Sequence, residues 1–144
     1  MKKIYTLTAL LFVFAVSNAQ ISKGKDFWFG FMQNYYPQSG EMRVYITSET
    51  PCSGMISSPL QAWSQTFTVT PGVSTLVLVP YNIGENLDND IINNKALHVT
   101  TTECVSVFAH YYQTATSDAA VVFPTNSVGN DYLVTTWFNA NMNN

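Results

Sequence analysis

Residues 64–79 read SQTFTVTPGVSTLVLV. Phe67 and Val69 alternate with threonines before Pro71-Gly72, and an apolar run rich in β-branched residues follows over 73–79. A two-residue side-chain period is the signature of a strand with one face inward. Pro pre-sets φ for the first corner of a turn and Gly tolerates positive φ, so the dipeptide reverses the chain. Two such runs on either side of it predict a hairpin.

The same grammar repeats outward in both directions. Residues 24–33, GKDFWFGFMQ, put Phe27, Phe29 and Phe31 on one face and Trp28 on the other. Residues 42–48, MRVYITS, set Met42, Val44 and Ile46 against Arg43, Tyr45 and Thr47. MISS (55–58) is a short strand ending before Pro59, and ALHVTT (96–101) and CVSVFAHYYQ (104–113) predict a pair turning at Thr102-Glu103. AAVVF (119–123) and DYLVTTWF (131–138) complete eight or nine strands, while the Asn- and Asp-rich stretch 80–94 has neither periodicity and is expected to be a loop. Short strands separated by Pro, Gly and Asn turns predict an all-β, antiparallel β-sandwich, jelly-roll-like or Ig-like.

The first 19 residues have the form of a signal peptide. Lys2 and Lys3 precede the uncharged run IYTLTALLFVFAV (4–16), and Ser17 and Ala19 occupy the small-residue positions before Gln20. The apolar run is shorter than the roughly 20 residues a membrane-spanning helix needs, and no later stretch approaches that length. No cysteine follows the cleavage point, so no lipid anchor is indicated. The remaining residues, 20–144, are the size of one domain and large enough for a core of their own. Without Lys2 and Lys3, four basic side chains face nine acidic ones, a formal charge of −5. That balance carries neither a nucleic-acid footprint nor a polybasic patch for anionic lipid.

An exported chain meets oxidising conditions, where Cys52 and Cys104 are expected to pair. The bridge would close a loop of about fifty residues and contribute roughly 3–4 kcal/mol by chain entropy. The alternative is two free thiols packed as small hydrophobes.

GKDFWFGFMQNY (24–35), MRVYITSE (42–49), FTVTPGVSTLVLVP (67–80), NKALHVTT (94–101) and VSVFAHYYQTATSDAAVVFPTNSVGNDY (105–132) together resemble, in order, the IgGFc-binding protein N-terminal domain of exported bacterial surface proteins. The resemblance covers nearly all of the chain after the leader. It implies an extracellular β-rich domain at the front of a longer protein, followed in bacterial members by immunoglobulin-like repeats and a C-terminal sorting domain. Fc binding does not come with it, since no Fc-contacting motif can be matched residue by residue. The cysteine pair departs from the bacterial pattern, so the bridge would be a local addition.

Chemistry-bearing sets are sparse. His98 and His110 are the two histidines, with Asp118 and many serines available, yet no G-x-S-x-G elbow is present. Each histidine is expected to be a strand residue bonded to nearby backbone. Glu85, Asp88 and Asp90 offer oxygen ligands that could hold calcium, but the EF-hand spacing fails and a solvated connector is the plainer reading. No cofactor is implied. Aromatics are more informative. Phe27, Phe29 and Phe31 belong to a core, whereas Tyr35, Tyr36 and Trp63 adjoin turn residues and are the candidate contact aromatics. The expectation is a secreted or cell-surface, non-enzymatic binding or adhesion domain with an extracellular protein or glycan ligand. A carbohydrate-binding module of a secreted enzyme is the alternative, and a small secreted hydrolase comes third.

Overall fold

The computed structural model describes residues 22–87 and 91–131. The leader, Asp88, Asp90 and the expected strand beyond Asp131 lie outside the described residues. Within them the chain forms nine strands: β1 (Gly24–Phe29), β2 (Phe31–Met32), β3 (Glu41–Thr47), β4 (Cys52–Ser58), β5 (Trp63–Val69), β6 (Thr75–Val79), β7 (Glu85–Asn86), β8 (Leu97–Tyr112) and β9 (Ser117–Val122). The all-β expectation holds. No described helix is long and apolar enough to cross a membrane.

β8 organises everything else. It is one continuous strand of 16 residues where sequence suggests two strands and a turn. Straight, it would run about 50 Å, longer than a small domain is wide, so it bends. Its first half pairs with β1 on one side and β4 on the other, and its second half pairs with β3 and β9. One sheet therefore runs β5-β4-β8-β1 and the other β6-β3-β8-β9, both antiparallel and continuous through the shared strand. β5 meets β6 through the Thr75 hydroxyl, which donates to Thr68 O at 2.9 Å, and the assembly is a nearly closed, barrel-like sheet.

The bend lies at 101–104. Between Gly24↔Val105 and Asp26↔Thr100, β1 advances two residues while β8 advances five. Extra residues on one strand bend it and raise its twist. Lys25 Nζ donates to Thr102 O at 2.6 Å, and the Thr101 hydroxyl donates to Glu103 O at 2.7 Å. Those bonds satisfy carbonyls that the ladders no longer reach, so Thr102-Glu103 is a bulge and not a hairpin turn. A second difference concerns Pro71-Gly72, where Gly72 does adopt φ 74°. The turn there carries the chain from one sheet to the other, and β5 takes β4 as its ladder partner while β6 takes β3.

The core follows from alternation. Met42, Val44 and Ile46 of β3, Phe67 and Val69 of β5, Val77 and Val79 of β6, and Leu97, Val99, Val105 and Val107 of β8 are buried, with Phe27 and Phe31. Phe29 and Trp63 are half-buried and packed against this cluster. The 80–94 stretch is less featureless than expected: a helical turn at Tyr81–Gly84 leads into β7, which pairs in parallel with β2.

Cys52 and Cys104 are both free, so the expected bridge is not formed. Cys52 is packed against the core, whereas Cys104 is exposed, next to buried Val105.

Candidate functional site

The loop between β2 and β3 carries Tyr35 and Tyr36, which are 72% and 55% exposed, their rings edge-to-face with centroids 4.6 Å apart. Three buried polar side chains hold the backbone beneath them. Asn34 Oδ1 accepts the Tyr35 N–H at 2.7 Å, and its Nδ2 donates to Thr116 O at 3.2 Å. Gln113, just after β8, donates through Nε2 to Tyr36 O and to Ser39 O, and its Oε1 accepts the Tyr36 N–H at 3.3 Å. Glu85 Oε2 accepts the Gln38 N–H at 2.9 Å. Gln38 and Gly40 take φ 52° and 84°, and a Cβ on Gly40 would fall 1.9 Å from Tyr112 O, which leaves glycine as the residue that fits.

Glu85 is fully buried, and its other oxygen, Oε1, accepts the Tyr111 hydroxyl at 2.6 Å. A buried carboxylate is tolerable only with such donors. Burial, followed by the hydrogen bond to Glu85, pushes the Tyr111 phenol well above the usual tyrosine range. Of the three calcium candidates, Asp88 and Asp90 lie outside the described residues, and Glu85 is held by protein donors. Its oxygens face Tyr111 and Gln38, and no group of three or more candidate metal ligands occurs among the described residues.

On the opposite sheet, His98 does not bond backbone as expected. Its Nε2 lies 2.7 Å from Asp26 Oδ2, and the Thr125 hydroxyl donates to Asp26 Oδ1 at 3.0 Å. The hydrogen bond from His98 holds the Asp26 carboxyl below the usual range, against a smaller opposing effect of burial, and Thr125 adds to the lowering. Trp28 stacks on the imidazole, with centroids 4.1 Å apart and planes 10° apart. Register explains the contact, since Trp28 sits opposite His98 across the β1–β8 ladder. Thr125 reaches Asp26 because buried Pro124 packs on Gly24, where a Cβ would clash. Among the described residues, no hydroxyl or thiol is hydrogen-bonded to either histidine.

The outer face of the β6-β3-β8-β9 sheet carries many apolar side chains. A cross-strand row runs Leu76, Tyr45, Phe108, Val121, and the next runs Leu78, Arg43, His110, Ala119. The Arg43 guanidinium lies 4.2 Å over the Tyr112 ring. His110 packs between Tyr45 and Tyr112, at 6.2 and 5.9 Å.

Of the candidate aromatics, Tyr35 and Tyr36 are together on the surface, and Trp63 is apart from them, half-buried on the core. Asn34, Gln113 and the Asp26–His98–Trp28 set were not singled out from sequence as a site. A buried Gln at a strand end looks like any polar loop residue, and the Asp26–His98 contact joins positions 72 residues apart.

These surfaces define an all-β domain with a held aromatic loop at one end of a sheet and a stacked indole on the other sheet. No family model, curated protein or solved structure matches the chain.

Proposed function

We propose that this chain is a non-enzymatic binding domain of an exported or surface-displayed protein, and that it meets its ligand with the 34–40 loop. One observation carries the reading: Tyr35 and Tyr36 are exposed while buried Asn34, Glu85 and Gln113 fix the backbone between them. Tyrosine brings a large apolar ring and a hydroxyl at low entropic cost, which suits contact surfaces. A loop already ordered does not have to be ordered on binding, so more of the contact energy survives as affinity. The leader-like N-terminus and the resemblance to an extracellular surface domain support the placement outside the cell. A hydrolase would need a nucleophile beside a base; among the described residues the Asp26–His98 pair has the orienting carboxylate alone.

The test uses the full chain, displayed at a sensor surface, against immobilised extracellular proteins, immunoglobulin Fc among them, and a glycan panel. Tyr35→Ala/Tyr36→Ala is expected to lose most of the affinity for whichever protein probe the native chain binds, with an unchanged melting temperature. Equal binding by the double variant would refute the assignment to this loop.

A further inference from the structure

The geometry points to a second binding site, on the other sheet, that takes a single neutral sugar ring against Trp28. A cavity of about 290 Å³ opens there, lined by Trp28, Pro59, Leu60, Asn93, Asn94 and Ala96. That volume lies just below the roughly 300–1,000 Å³ range of small-molecule sites, which suits one ring and not a buried chain. None of the lining side chains is charged, so the walls select neither anion nor cation. The chemistry that fits is amphipathic: an apolar ring face for the indole and hydroxyls for amides.

Trp28 is prepared for this role. It is 48% exposed and lines the cavity, while His98, which stacks on one face of its indole, is not among the lining residues. His98 is itself held by Asp26 and Asp26 by Thr125, so three linked side chains keep the indole in one plane. A ring that is already fixed loses little rotamer freedom when a ligand stacks on it. The facing wall is also tied down. Pro59 and Leu60 sit on a 3-10 turn that ends at Ala62 with φ 50°, and Gln61 Nε2 donates to Asn94 O at 3.3 Å. Asparagine amides offer donor and acceptor together, the pairing a sugar hydroxyl needs. A proline-rich peptide needs a groove lined by several aromatics, and this cavity has one.

The site is independent of the tyrosine loop, and the experiment separates them. The full chain is titrated with neutral oligosaccharides ending in glucose, galactose, mannose or an N-acetylhexosamine, with a sialylated glycan and a polyproline peptide in parallel. Affinity is read by calorimetry and by tryptophan fluorescence. At least one neutral glycan is expected to bind, with about a tenfold loss in Trp28→Ala. Trp28→Phe, which keeps a ring for His98 to stack on, and Asn94→Ala should lose less, and Tyr35→Ala/Tyr36→Ala nothing. No binding of any neutral glycan overturns the proposal. So does an unchanged affinity in both Trp28→Phe and Asn94→Ala, or a preference for the sialylated glycan or the peptide.

Discussion

Replacing Gln113 by alanine should loosen the tyrosine loop while leaving the barrel intact. The side chain makes three bonds to loop backbone: Nε2 to Tyr36 O, Nε2 to Ser39 O at 2.9 Å, and Oε1 from the Tyr36 N–H at 3.3 Å. At about 0.5–1.5 kcal/mol net apiece, all three come to about 3 kcal/mol. Water reaches an exposed loop and recovers part of that, so about 2 kcal/mol is the expected loss. Since 1.4 kcal/mol is a factor of ten, local opening should become roughly thirtyfold more frequent. Amide hydrogen exchange reads this directly. The Tyr36 and Gln38 amides should exchange about thirtyfold faster, while Val44 and Val107 in the β3–β8 ladder keep their rates. Thr116 retains Asn34 as a partner at 2.9 Å, so the damage should not spread. Gln113→Glu sets a buried carboxylate oxygen against the Tyr36 and Ser39 carbonyls and should loosen the loop at least as much as alanine. Unchanged exchange at Tyr36, or equal acceleration in the ladder, would refute the reasoning.

Tyr111 should remain protonated at a pH where a free tyrosine has ionised. Its phenol is raised in the folded state, so its contribution is complete below the unfolded value near about 10 and is lost as pH climbs beyond it. Phenolate absorbance should therefore show a late step that Tyr111→Phe removes, and one shared step for all tyrosines would contradict it. Gly54→Ala places a methyl 2.5 Å from Phe67 Cζ and 2.6 Å from Thr100 O, and overpacking of that kind costs about 1–3 kcal/mol. The melting temperature should fall by several degrees, and a stabilised variant would mean that the strands part more easily than drawn. Cys104 should react with a thiol reagent in the native state well before Cys52, because the first is exposed and the second packs on the core. A native chain without titratable thiols would show that the bridge forms after all.

Sequence made the strands legible where alternation is local. Met42, Val44 and Ile46, or Phe67 and Val69, announce their inward face without reference to any partner. What stayed hidden depends on pairing across the chain. The Thr102-Glu103 bulge looks like a turn because its supporting bonds come from Lys25, far back in the sequence. Pro71-Gly72 does turn the chain, but whether the next strand stays in its sheet depends on β3 and β4. Exposure at Tyr35 and Tyr36 could be anticipated from adjacent Pro and Gly, whereas the same argument failed at Trp63, which the β4–β5 ladder draws onto the core. Glu85 is the sharpest case. In a stretch of acidic and amide residues it resembles a solvated carboxylate, and only the packing of Tyr111 and Gln38 against it reveals a buried structural acceptor.

Contact through a preformed loop is tested most directly by amide resonance mapping. The labelled full chain is titrated with the tightest-binding protein from the extracellular panel. Resonances of 34–40 and of Gln113 and Thr116 should shift, while the Trp28 indole resonance stays in place. Shifts confined to the outer face of β3, β6 and β9, with Tyr35 and Tyr36 unmoved, would contradict it.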